Sequence, residues 1–171
     1  MHHSKARHGG EEMEPMGYRN TKLVEELAAQ GRITTKRSES QSFDPMQFTL
    51  LYKMASDTYD WPLDAAAAKN GALPRTYKHG WLAMARDLGM TLPDALDEIE
   101  VIGDEPRAPK KELKAMQRLS LTAKKLESAG LIKCLRKGSP QKRNNAIWLL
   151  TIGTPEENAE VEAYVRQHMY L

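Results

Sequence analysis

The chain has 171 residues, 40% apolar and 28% charged, which suits one core with extensions and a protein that stays in water. No apolar run approaches the roughly twenty residues that span a bilayer, and a single cysteine, Cys134, excludes an internal disulfide framework. Net charge is only +2, yet residues 107–143 hold twelve Lys/Arg against two acids, Glu112 and Glu127, a local balance of +10. Taking these from totals of 25 basic and 23 acidic leaves 13 against 21, or −8, elsewhere. Such asymmetry is the footprint of a module that meets phosphates, although a solvated helix face balanced by distant acids gives the same count.

Residues 1–42 read as a flexible N-terminal arm. The start, MHHSKARHGGEEMEPMG, has no apolar stretch for a signal peptide and little to bury, so disorder is expected to about Arg19. Asn20 or Thr21 can cap a short helix over residues 20–30, with Leu23, Val24, Leu27 and Ala28 on one stripe and Gly31 as its stop. Such a helix is too short to be stable alone and must pack on something. Residues 33–42 read as a polar linker.

Asp44-Pro45-Met46-Gln47 is a helix start. Asp44 can accept from an orphan N–H, Pro45 suits the first turn, and Gln47 can reach back. Phe48, Leu51, Met54 and Ala55 follow as a core-facing stripe. Pro62 begins a second helix through Ala68, ended by Asn70-Gly71, and residues 73–78 connect to a third. There Trp81, Leu82, Ala85 and Leu88 form a stripe that Gly89 terminates. Residues 91–108 contain the acids Asp94, Asp97, Glu98, Glu100, Asp104 and Glu105. A helix over 94–101 would group Asp94, Asp97 and Glu98, as a divalent metal site requires. The simpler reading is a solvated face or a guard beside the basic surface, and no metal or cofactor is expected.

Pro109 opens a long helix with Leu113, Met116, Leu119, Ala123 and Leu126 on one face. Gly130 is its left-handed stop. Residues 131–136 and 146–152 are strand-like, joined by the polar tip Lys137-Gly138-Ser139-Pro140-Gln141-Lys142-Arg143-Asn144. Thr154-Pro155-Glu156-Glu157 starts a last helix, residues 154–171, with Val161, Tyr164, Val165 and Met169 on one stripe. That stripe can cover its own domain or a second copy.

The run LTAKKLESAGLIKCLRKG, with the basic loop and NAIWLLTI after it, resembles the second half of a winged helix-turn-helix domain. In that superfamily a recognition helix leads straight into a two-stranded wing. HGWLAMARDLGM, residues 79–90, resembles the helix before the turn. The resemblance covers residues 45–152 and is most specific over 123–132. Residues 91–108 stand where the family has a short turn, which is a departure. The combination of HGWLAMARDLGM with a basic wing is loosely similar to regulators and replication initiators of bacterial plasmids and phages. The resemblance implies a mainly α fold with a small β-hairpin, a winged helix over 43–153 carrying the acidic insert. It also raises the option of a homodimer through the C-terminal helix.

The exposed face of the long helix would then offer Lys114, Gln117, Arg118, Ser120, Thr122, Lys124 and Lys125 to double-stranded DNA. An arginine fork matches guanine and a glutamine amide matches adenine, so Arg118 and Gln117 are the candidate base readers. Ser120, Lys124 and Lys125 suit phosphates, and Lys137, Lys142 and Arg143 suit the backbone or an adjacent minor groove. The function expected is that of a cytoplasmic, nucleoid-associated regulator or replication factor. A protein-interaction module built on the same fold is the alternative. The five histidines are scattered, no phosphate-cradling glycine loop or nucleophile elbow is present, and no enzyme is expected.

Overall fold

The computed structural model describes residues 14–92 and 108–169. Residues 1–13 of the expected disordered start and the bulk of the acidic insert, with its metal-site reading, lie outside the described residues, whereas Tyr18 and Arg19, expected in that disordered start, already belong to the first helix.

Helix α1 (Tyr18–Ala29) buries Val24 and Leu27 against α2 (Pro45–Ser56). Gly17, at φ +79, makes that approach close: a Cβ there would sit 2.6 Å from the Ala55 carbonyl oxygen. Helix α2 starts as its sequence dictates. Asp44 accepts from the Met46 and Gln47 N–H groups at 3.0 and 3.1 Å, and Gln47 Nε2 donates back to Asp44 at 2.8 Å. Leu50, Leu51, Met54 and Ala55 then face the core.

The stretch read as a linker is instead a hairpin, β1 (Thr34–Arg37) paired antiparallel with β2 (Ser40–Phe43). So residues 18–43 are not a loose arm. Ile33 at the hairpin's root is fully buried. The short helix after Pro62 is α3 (Ala65–Lys69), and it starts later than expected because Asp64, not Pro62, supplies the cap, accepting from the Ala67 N–H at 2.7 Å. The connector after it contains a further strand, β3 (Thr76–Tyr77), and then α4 (Gly80–Asp87) follows.

Helix α5 (Ala108–Ser128) packs against both α2 and α4. Its buried face is Ala115, Leu119, Thr122, Ala123 and Leu126. The expected stripe thus holds in the C-terminal half and fails at the start, where Leu113 is 55% exposed and Met116 half-buried. Counting back four residues from Leu119, one helical turn, gives Ala115 and not Leu113.

Strands β4 (Ile132–Arg136) and β5 (Ile147–Leu150) form the expected second hairpin, and β3 adds to β5, giving the order β3-β5-β4. In an antiparallel pair opposite residues share a face. Ile132 with Leu150, and Cys134 with Trp148, are opposed on one face, and Ile132, Leu150 and Trp148 meet the helical core. Lys133 and Leu149 are opposed on the other face, where α6 (Pro155–His168) lies: Leu149 joins Val161 and Val165, and Lys133 Nζ donates to Glu162 at 2.8 Å. The central strand is therefore covered on both sides. In all, the described residues form a mixed α/β unit, 50% helix and 17% strand, with six helices and two small antiparallel sheets. Strand content exceeds the single small hairpin expected. No helix among the described residues is long and apolar enough to cross a membrane.

Candidate functional site

The end of α5 fixes everything that follows it. Gly130 takes φ +72, its N–H donates to the Glu127 carbonyl and the Leu131 N–H to the Leu126 carbonyl, both at 3.0 Å. This double closure stops the helix within one residue and sends the chain into β4. Leu131 and Ile132, just past the stop, are buried, which anchors the helix end on the sheet.

Opposite its buried face, α5 exposes Lys114, Gln117, Arg118, Leu121, Lys124 and Lys125. None of the four lysines and arginines in this row forms an ion pair within 4 Å among the described residues. Leu121 is 60% exposed, an apolar side chain amid cations that the sequence reading left out. Two expected members differ. Thr122 is buried and its hydroxyl donates back to the Arg118 carbonyl at 2.9 Å, so it is not on the exposed face. Ser120 is only half-exposed.

The tip between β4 and β5 is ordered by its own hydrogen bonds. Ser139 and Asn144 exchange backbone bonds at 3.1 and 3.2 Å, the Arg143 N–H donates to the Pro140 carbonyl at 3.2 Å, and Arg143 takes φ +49. The result is a tight turn that holds Lys142 and Arg143 exposed, with exposed Lys137 just before it. Gly138 permits the crossing, since a Cβ there would meet the Ala146 nitrogen at 2.9 Å. The base of the tip rests on the link between β3 and α4, where Asn145 Nδ2 donates to the Lys78 carbonyl at 3.3 Å. Trp81 of α4 and Trp148 of β5 pack 5.7 Å apart behind it. Together Trp81, Met116, Pro140, Arg143, Asn145 and Trp148 line a cavity of about 500 Å³, so the tip and α5 share one wall. The structure thus brings Arg143 to the flank of α5 marked by the half-buried Met116.

A second concavity, about 1100 Å³, opens on the other flank of α5. Arg118, Leu121, Lys124 and Lys125 line it from the helix, and Arg32, Lys36 and Arg37 from the N-terminal hairpin. Sequence reasoning missed these last three. Their hairpin turns at Ser38-Glu39, with Ser38 at φ +55, and lacks the Asn-Gly or Asp-Gly pair that announces a two-residue turn. The lone acid lining this groove is Asp44. Burial opposes its charge, but hydrogen bonds from the Gln47 side chain and the Gln47 and Met46 N–H groups, with Lys125 nearby, hold its carboxyl below the ordinary range.

Other polar groups have partners away from this face. Lys133, counted in the basic run, lies on the far face of the sheet with Glu162, and Arg166 donates to the same carboxylate at 2.9 Å. The Lys133 hydrogen bond outweighs burial, and with Arg166 it holds the Glu162 carboxyl below its usual range. Burial, with Glu127 adding to it, pushes the Cys134 thiol up, away from a reactive thiolate. Among the described residues no three His, Cys, Asp or Glu side chains converge as a metal site would require. The apolar stripe of α6, one option for a homodimer contact, is covered at Val161 and Val165 by its own sheet.

No family model matches the chain, and the comparisons with curated proteins and with solved structures found no match.

Proposed function

We propose that this protein is a winged-helix protein that binds double-stranded DNA, with α5 as the recognition helix and the 137–144 tip as the wing. One observation carries the reading. The outward row of α5 holds four cations and a glutamine with no ion pair among the described residues, and the hairpin tip that follows the helix holds three more exposed cations. A solvated helix of this length would ordinarily interleave acids for i,i+4 support. Here the face between Lys114 and Lys125 has none.

The major groove of B-DNA is about 12 Å wide and admits one helix. With α5 in it, Gln117 points at the base edges, while Lys124 lines the hairpin-side groove and holds phosphate. Leu121 offers an apolar surface to a thymine methyl, a contact read only in that groove. Arg118 and Lys125 lean towards the hairpin side and hold phosphates. Lys137, Lys142 and Arg143 grip the backbone beyond. The helix–helix–strand–helix–helix–strand–strand order from α2 to β5, with a sharp stop leading into the wing, supports the fold assignment. The biological role that fits is a transcriptional regulator or a replication initiator or accessory factor, not an enzyme.

The test is a titration of a fluorescent random-sequence duplex with the wild-type protein and with Lys114→Glu plus Lys124→Glu. Duplex binding that the double variant loses supports the reading. Equal binding by both removes α5 from the interface. No binding by the wild type even at low salt favours a protein-interaction role for the same surface.

A further inference from the structure

We infer that the β1–β2 hairpin is a second DNA-gripping arm, and that the groove between it and α5 seats the phosphate strand on the side of the recognition helix opposite the wing. The inference rests on the duplex-binding reading above and adds a partner strand to the groove.

Charge is the first ground. Six cations line the groove, Arg32, Lys36, Arg37, Arg118, Lys124 and Lys125, against the single acid Asp44, whose carboxylate is already held by the start of α2. At about 1100 Å³ the groove is open to solvent, and its lining sets these cations beside apolar side chains such as Phe43, Met46 and Leu121. The excess of cations suits a polymer of negative charge.

The second ground is the hairpin's own energetics. All four residues of β2 are exposed, and β1 is half-exposed at Thr34 and Thr35 and exposed at Lys36 and Arg37. A two-stranded hairpin that buries so little is marginal in water. This one is held at its root. Ile33 is buried, the Asp44 N–H donates to the Ile33 carbonyl at 3.1 Å, and Gln47 Nε2 donates to the Thr34 carbonyl at 3.1 Å. Beyond the root it projects Thr, Ser, Gln, Lys and Arg side chains, nearly all hydrogen-bond donors, with Glu39 the one acid at its turn. That is a surface made to meet acceptors.

The third ground is placement. Two phosphate strands border a major groove, so a helix lying in it turns one flank to each. Met116 marks the flank of α5 that shares a wall with the wing, and Arg118, Thr122 and Lys125 mark the flank that faces the hairpin. The wing and the hairpin therefore stand on opposite flanks, each with cations at its tip, and each meets a different strand.

The experiment compares salt dependence of binding to a random-sequence duplex for the wild type, Lys36→Ala plus Arg37→Ala, and Lys133→Ala. Lys36 and Arg37 are exposed and Lys133 lies on the far face of the sheet. Losing two phosphate contacts makes the slope of log K against log salt shallower by about two units and weakens binding at least about tenfold at moderate salt. That result, with the Lys133 variant unchanged, supports the arm. If the wild type binds and the hairpin variant matches it in slope and affinity, the arm is excluded while α5 and the wing keep their roles. If the wild type does not bind duplex at all, the interface reading fails and the arm with it.

Discussion

Arg75, which is 1% exposed, pairs with Glu157 on α6, while its Nε donates at 3.0 Å to Asn20 on α1. One side chain beside the central sheet thus ties the first described helix to the last. Asn20 completes the node by donating to the Thr58 hydroxyl and the Tyr59 carbonyl at 3.2 and 3.0 Å. A buried guanidinium that loses its carboxylate keeps the cost of desolvation without the attraction that offsets it. Glu157→Ala is therefore expected to destabilise the fold by roughly 1–3 kcal/mol, less than a fully buried pair because Glu157 is partly exposed. Glu157→Gln, which keeps an acceptor oxygen, should cost less. Urea denaturation checks both, and equal losses for the two variants would show that packing alone accounts for the effect.

Asp44 gives a prediction with a pH sign. As the cap of α2 it accepts two backbone N–H bonds, and Asp44→Ala should cost about 1–2 kcal/mol. Its folded carboxyl titrates below its ordinary value of 3.8. The stabilisation is therefore complete above that ordinary value and is lost as pH falls through the lower, folded one. Wild type and Asp44→Ala should converge in stability in that acidic window. A constant difference from neutral pH down through it would contradict the assignment.

On α5, Gln117 and Arg118 are expected to behave differently. Gln117 sits on the outward row, so Gln117→Ala should relax preference at one base pair of a selected duplex. Arg118 lines the groove beside Lys125, so Arg118→Ala should weaken binding by roughly 1–3 kcal/mol, much alike for every sequence. Binding of a panel of single-base variants separates the two. A base-specific loss for Arg118→Ala would return it to base reading, the role its sequence position first suggested.

For the wing, Lys142→Ala plus Arg143→Asn should make the salt slope shallower by about two units. Asn is chosen because Arg143 holds φ +49, a conformation Asn tolerates. An unchanged slope would remove the wing tip from the interface.

The sequence made some of these elements plain and hid others for physical reasons. Helix starts at Asp44 and Thr154 and the stop at Gly130 were legible because each is a local event, written in one side chain or one glycine. The inward row Leu119, Ala123 and Leu126 was legible from spacing. Leu113 misled because periodicity finds a face only where the helix is buried along its length, and the first turns of α5 are not. Strand β3 was missed because its two residues, Thr76 and Tyr77, are placed by pairing with Leu149 and Trp148, far along the chain. The β1–β2 hairpin was missed because its strands are polar on both faces, so no alternation marks them. For the same reason Arg32, Lys36 and Arg37 escaped the site. Lys133 was counted among the basic run, and only the register of β4 with β5 shows that it lies on the far face.

The measurement that bears most directly on the central claim is the salt dependence of wild-type binding to a random-sequence duplex, followed by fluorescence anisotropy. Seven cations on α5 and the wing tip predict a slope of log K against log salt of roughly −6, and the two hairpin contacts of Lys36 and Arg37 extend the range to about −8. A slope in that range supports α5 and the wing as a phosphate-binding face. Absence of binding at low salt, or binding indifferent to salt, contradicts the account.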